Sequence, residues 1–369
     1  MILHRPFRQA LRQAKGGVLL ATLCLAFAVP VARAEPDFSG QSIEWLVPFR
    51  EGGGADIWAR FNARFIAKYL PGQPSIVIRN VPGGGSTKGA NRYAVAAGLD
   101  GLSLLGTSAS TQFPYLLGDS RVRYDYAEWQ ILMVYQTGGV VYVRPELGIS
   151  DASQLRDLGD KKLSFGSQGA TSLDLVPMLG FELLGLNVRP IFGIRGRSAG
   201  QLAFERGDAT IDYQTSAAYI RNIEPLVAAG KAVPMFTFGS LSADGELIRD
   251  PEFPELPHLA EVYTDMHGKP PSGLAWDSWF AFFSAGFGAQ KLLVIPKDTP
   301  NDIVLAYQAA LDAMLRDWEY IVQKPKVLGA YDQVTGEAAQ RLYRLASDIP
   351  DESRQWIRDW LRRKYGLNI

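Results

Sequence analysis

Apolar and polar positions fall along this chain in two alternating patterns. Ile43-Glu44-Trp45-Leu46-Val47 is a short apolar run of strand type. From Ile57 the apolar residues recur every fourth place, at Phe61, Phe65 and Tyr69, with Trp58 and Ile66 beside them. That spacing is one face of an amphipathic helix, and Pro71-Gly72 ends it. Gly52-Gly53-Gly54 joins the two. The chain thus reads strand, glycine turn, helix. Glycine lets backbone approach a ligand with no Cβ in the way. The free N–H groups of the helix start then favour an anion. A plain βα turn would use the same glycines.

The arrangement recurs. Ser75 to Val81 is a second strand, followed by Pro82-Gly83-Gly84-Gly85-Ser86-Thr87 and a helix through Ala90, Tyr93, Ala94 and Ala97. Leu102 to Leu105 is a third strand, running into Gly106-Thr107-Ser108-Ala109-Ser110-Thr111. In a parallel α/β sheet such ends share one edge, where ligands bind.

Ahead of this lies a basic start without acids (Arg5, Arg8, Arg12, Lys15), an apolar run from Gly17 to Val31, and Ala32-Arg33-Ala34. These are the parts of a secretory signal with its cleavage site, so the mature chain is expected to begin at Glu35. Cys24 leaves with the leader. Five of the 38 basic residues leave as well, so 33 face 38 acidic ones, a net of −5. This is no footprint for nucleic acid, although backbone N–H groups can still hold an anion.

The roughly 335 residues that remain exceed one comfortable core, which predicts two α/β lobes. The first would hold residues 35–139 and 234–369, and the second residues 140–233. Gly138-Gly139 is the expected hinge. In the second lobe, strands are predicted at Val140 to Val143, Leu163 to Phe165, Val188 to Ile194 and Thr210 to Thr215. Helices are predicted through Leu173, Val176, Leu179 and Leu183, over Ala199 to Arg206 and over Ala217 to Ala229. Asp119 to Trp129 and residues 240–275 read as connections, and Met235 to Phe238 as the path back to the first lobe. Trp279 to Phe283 and Leu292 to Ile295 read as buried strands. Three helices close the chain, the first starting near Pro300 with Thr299 as its cap.

Familiar catalytic patterns fail. His258 and His267 are the only histidines after the leader, a poor metal set without cysteines. Phe165 stands where a nucleophile elbow needs glycine. Lys88 is followed by Gly89, which breaks the phosphate-loop pattern. Only proximity in sequence supports Glu44 and Asp56 as an acid–base pair.

Val47-Pro48-Phe49 with Gly52-Gly53-Gly54-Ala55-Asp56 resembles the opening motif of the TctC/Bug family, the periplasmic solute-binding proteins of tripartite tricarboxylate transporters. Arg79-Asn80-Val81-Pro82-Gly83-Gly84-Gly85 and Phe165-Gly166-Ser167-Gln168-Gly169-Ala170-Thr171-Ser172 are similar to two further turns of that family, in the same order. The resemblance implies a two-lobe periplasmic-binding-protein fold of type II with the ligand in the cleft. It implies a periplasmic monomer without cofactor or metal that captures a small organic carboxylate and passes it to membrane permease subunits. A sensor subunit presenting the ligand to a receptor, and less so a secreted enzyme, are the alternatives. The expected site takes one carboxylate on the backbone of Gly53 and Gly54. Thr107, Ser108, Ser167, Thr171 and Ser172 supply hydroxyls, and Phe49 and Tyr213 apolar walls. Asp56 caps the helix, orients water or accepts a ligand N–H or hydroxyl. Two aspartates usual in the family fall on Thr210 and Gln214, so selectivity is expected to differ.

Overall fold

The computed structural model describes residues 36–242 and 245–369; the leader, its cleavage site and Cys24 lie outside them. The first three strands form as the pattern requires: β1 (Ser42–Val47), β2 (Ser75–Asn80) and β3 (Ser103–Ser108), each followed by its helix, α1 (Gly54–Tyr69), α2 (Thr87–Ala96) and α3 (Ala109–Leu117). They pair in parallel with β1 in the middle. Their C-terminal ends, and hence the glycine turns, lie along one edge. The third turn is shorter than expected, because β3 continues to Ser108 and α3 starts at Ala109. The polar stretch from Asp119 ends at Glu128, and Trp129 opens a strand absent from the sequence expectation, β4 (Trp129–Tyr135).

The chain then builds smaller sheets. In order come β5 (Gly139–Val143), β6 (Leu163–Ser167), α4 (Leu175–Leu183), β7 (Val188–Phe192), α5 (Arg197–Arg206), β8 (Ile211–Thr215), α6 (Ser216–Asn222), α7 (Glu224–Ala228) and β9 (Val233–Thr237). β8-β5-β9 form one sheet, antiparallel throughout. β6 and β7 form a parallel pair. Met235 to Phe238 does not lead straight back to the first sheet, because β9 pairs with β5 through Thr237.

Residues 240–275 are not all connection. β10 (Ser240–Leu241) pairs with β11 (Leu247–Ile248), and α8 (Leu259–His267) begins at a capping box made by His258 and Glu261. Trp279 to Phe283 is helical, within α9 (Leu274–Phe283), which runs on into a π-turn at Ser284–Gly288. A short aromatic run fits either strand or helix. Here Trp279, Phe283 and Phe287 recur every four residues and stack at 5.0 and 5.9 Å between ring centres.

β12 (Lys291–Pro296) returns to the large sheet. α10 (Asn301–Arg316), α11 (Trp318–Leu328), β13 (Gln333–Thr335), α12 (Gly336–Ser347) and α13 (Asp351–Tyr365) complete the chain, one helix and one strand more than expected. Thr299 does not cap α10: Pro300 holds the cap position and the Thr299 hydroxyl donates to the Pro296 carbonyl. The six-stranded order is β13-β4-β12-β3-β1-β2, with β12 antiparallel to both neighbours. Alternate residues face opposite layers. Trp45, Val47, Leu104, Tyr135 and Leu293 bury against α1 and α10, while Leu46, Leu105, Val134 and Leu292 bury on the other side. The two sets of sheets, each flanked by helices, make a two-lobe α/β molecule.

Candidate functional site

α1 begins with Gly53 as its N-cap and no side chain capping it. The turn before it is held by Asp56. That carboxylate is 3% exposed. It accepts the Gly52 N–H (2.9 Å), the Asn80 amide (3.0 Å) and the Arg60 Nε–H (2.9 Å). Burial pushes the Asp56 carboxyl up, but Arg60, Gly52 and Asn80 outweigh it and hold it below its ordinary range. The helix-start role expected of Asp56 thus has a definite form: it fixes the loop from inside. Gly52 sits at φ +73°, where glycine is needed. Phe49 is half-buried against the core under α1, and its carbonyl accepts from Asn80 (3.0 Å). Asn80 thereby ties the end of β2 to the first turn.

The second turn bends hard. Gly83, Gly84 and Gly85 all have positive φ, and so does Ser86 at +90°. A serine there costs roughly 1–3 kcal/mol. Its hydroxyl offsets this by lying 3.1 Å from the Ser110 carbonyl and 3.0 Å from the Thr111 hydroxyl. The turn is therefore pinned to the start of α3, which the sequence pattern did not reveal. Gly89 is needed for a different reason: a Cβ would sit 2.6 Å from the Val81 carbonyl and 2.7 Å from Pro48. Among the third group, Ser108 caps α3 by accepting the Ser110 N–H (3.3 Å). Thr107, one residue earlier, is fully buried and faces Tyr126 in the opposite layer.

The remaining hydroxyls lie at the end of β6 and in the loop after it. The Ser167 hydroxyl accepts the Gly169 N–H (3.2 Å). The Ser172 hydroxyl donates to the Gly169 carbonyl (2.7 Å) and accepts from Asp174 N (3.2 Å). Both shape their own turn, and Thr171 is half-buried on it. The Leu173 N–H donates to the Ser110 hydroxyl (3.2 Å), which brings this loop onto the start of α3. Of the expected residues, Phe49, Gly53, Gly54 and Asp56 thus form one group, and Ser108, Ser167, Thr171 and Ser172 lie in segments joined through Ser110. Thr107 and Tyr213 point elsewhere.

Tyr213 is fully buried, and its hydroxyl donates to Asp174 (2.7 Å). It belongs to a buried ionic group rather than an apolar wall. Arg197 bonds Asp212, lies 3.4 Å from Asp174, and donates to the Gly166 and Tyr213 carbonyls at 2.8 and 2.9 Å. Tyr142 adds its hydroxyl to Asp212 (2.7 Å) and Gln214 its amide to the Arg197 carbonyl (3.0 Å). Burial works against the Arg197 charge, but Asp212 and Asp174 outweigh it and keep it protonated. The Gln168 N–H also donates to Asp174 (2.6 Å), so this group sets the course of the 167–174 loop.

Glu44 pairs with Arg79 at 3.0 Å and Asp56 with Arg60, so each carboxylate has its own cation. His258 caps α8, and a ring nitrogen of His267 lies 3.2 Å from the Leu183 carbonyl. Among the described residues no group of three or more His, Asp or Glu is placed to hold a metal ion. No helix among them is long and apolar enough to cross a membrane.

No family model matches the chain. It is 27% identical over 367 residues to a UPF0065 protein from the tcbD–tcbE intergenic region of Pseudomonas sp. (strain P51), covering 95% of this chain and 94% of the relative. It is 25% identical over the same shares to BugT of Bordetella pertussis. Among solved structures it is similar to the periplasmic binding protein BugD, with a TM-score of 0.63, 21% identity and coverage of 89% of this chain and 98% of the other. MatC of Rhodopseudomonas palustris, solved with malate, superposes with a TM-score of 0.60 at 20% identity, over 85% and 98% of the two chains. An R. palustris protein solved with adipate gives 0.62 at 18%, over 90% and 99%. These structures share the two-lobe fold described above.

Proposed function

We infer that this chain, a solute-binding protein of the TctC/Bug type, captures a small organic carboxylate between its lobes and hands it to the permease subunits of a tripartite membrane transporter. It binds its solute and does not transform it. The observation that carries the ligand class is the start of α1, a 16-residue helix whose N-cap is Gly53 with no capping side chain. Its first N–H groups and its dipole together favour one carboxylate. Ser108, the pinned turn at Gly83–Ser86 and the 167–174 loop close around the rest of the ligand. The malate and adipate held by two relatives of the same fold are acids of this size and charge.

For a ligand to enter, the bond from Leu173 N–H to Ser110 has to open. The lobes then turn about the crossings at residues 136–138 and after Thr237. Binding should close them again, without any metal. Small-angle scattering of the mature protein is expected to show a smaller radius of gyration when the best ligand from a panel of di- and tricarboxylates and aromatic acids is added. The change should be the same with and without a chelator. An unchanged radius, or binding lost to the chelator, would count against this reading.

The protein works in the periplasm, with the leader removed after Ala34. Mass spectrometry of the exported protein is expected to find Glu35 at the N-terminus. A mature chain that still carries Cys24 would overturn the cleavage assignment.

A further inference from the structure

The large sheet carries one buried cation that none of the interactions above uses. Lys291 is the first residue of β12, at the edge where β1, β2 and β3 end. It is 7% exposed. Its register partners are Ser108 on one side and Tyr135 on the other, and Tyr135 in turn faces Gln333. Residues paired in register across a sheet put their side chains on the same face. Ser108, Lys291, Tyr135 and Gln333 therefore form one row, on the layer that holds α1. The row is anchored to that helix, because Trp58, in its second turn, donates to Gln333 (2.6 Å). The first turn of α1, with its free N–H groups, lies just beyond.

Among the described residues the Lys291 ammonium has no carboxylate and no hydrogen-bond acceptor. Its one partner is the Tyr135 ring, 4.7 Å from Nζ. Asp56, in the first turn of the helix in the same layer, is already engaged by Arg60 (2.9 Å). Burying a lone ammonium is costly. Burial pulls its pKa down to about 7. An anion brought to this row would repay the cost by holding the proton on Nζ.

We propose that Lys291 is a ligand-binding residue: it supplies the positive charge that meets the solute's carboxylate beside Ser108 and beneath the start of α1. The inference rests on the carboxylate reading above and deepens it. The site would combine backbone dipoles with a full, water-poor charge, which favours acids over their neutral amides.

The test is calorimetry on the mature protein with malate, adipate and citrate, and with malamide and adipamide as neutral counterparts, for wild type, Lys291→Met and Lys291→Gln. Wild type should bind at least one acid and none of the amides comparably. Both variants should lose about a hundredfold in affinity for that acid, the range seen when one partner of a desolvated charge pair is removed. Their thermal midpoints should stay level or rise, since a buried unpaired charge has gone. A purely structural lysine would lower the midpoint instead. Wild-type affinity in either folded variant would overturn the role of Lys291 and leave the carboxylate reading standing. A wild type that binds the amides as tightly as the acids would overturn both.

Discussion

Gly53→Val is expected to weaken ligand binding at least tenfold while the protein stays folded. Gly53 has φ −77° and ψ 164°, extended backbone that valine adopts readily. A Cβ there would meet only the Arg50 carbonyl, at 3.4 Å, an ordinary contact. The fold therefore tolerates the change. The ligand does not, if its carboxylate rests on the N–H groups that follow. A branched side chain at the N-cap stands in front of those donors, and an acid left without two of them loses several kcal/mol. Arg50→Ala is the matched control. Arg50 is exposed and forms no ion pair among the described residues, so its loss should cost at most a few-fold. Calorimetry on both variants with the best acid from the panel decides the matter. Binding abolished by Arg50→Ala and kept by Gly53→Val would replace the helix-start site with a surface salt bridge.

The difference between Arg50 and Lys291 shows where sequence reading reaches and where it stops. The three strand–turn–helix units were legible because each is local: an apolar run, glycines, and a four-residue apolar spacing. The turns at Gly52–Gly54 and Gly83–Ser86 were legible for the same reason. β4 was not, because Trp129 to Tyr135 lies between β12 and β13, buried on both faces, and so carries no alternation to read. The helix at Trp279 to Phe283 was not legible, because five apolar residues in a row show neither a strand nor a helix period, and the polar Asp277 and Ser278 lie just before them. α11 was missed because it carries Pro325 inside and leaves Trp318, Ile321 and Val322 exposed. Lys291 could not be singled out at all. A lysine opening a strand normally reaches solvent, and its burial arises only from pairing with Ser108 and Tyr135, residues far away in the chain. Thr107 and Ser108 were a closer case. The alternation of β3 puts Leu104, Gly106 and Ser108 on one face, which separates Ser108 from Thr107 once the strand is known to run to residue 108.

Gly138→Ala is expected to destabilise the protein by about 2–3 kcal/mol or more, the cost of overpacking a closed core. Gly138 is buried on the crossing from β4 to β5, and its carbonyl accepts the Ser216 N–H (3.2 Å). A Cβ there would overlap Asp250 Oδ2 and the Tyr331 hydroxyl and come within 2.8 Å of Ser216 Oγ. Those three groups form a closed set. The Tyr331 hydroxyl donates to Asp250 Oδ1 (2.5 Å) and lies 2.6 Å from Ser216 Oγ, while Asp250 Oδ2 has no partner among the described residues. Asp250 is fully buried. Burial raises its carboxyl to about 6, although the Tyr331 and Glu252 bonds pull the other way. A raised acid is favoured protonated in the folded state, so its stabilising contribution is complete below about pH 4, the ordinary carboxyl range, and is lost as pH rises through about 6. A shift of that size corresponds to roughly 3 kcal/mol. Asp56 and Asp317, held below their ordinary values, act in the opposite sense as pH falls, so total stability hides the effect. Asp250→Asn isolates it. Urea unfolding of wild type and variant from pH 4 to 7 should show the wild type losing about 2–3 kcal/mol relative to the asparagine protein across that window. A difference that stays flat with pH would mean that Asp250 is ionised throughout. In that case Gly138→Ala would push against a charged carboxylate and cost more than the overpacking alone.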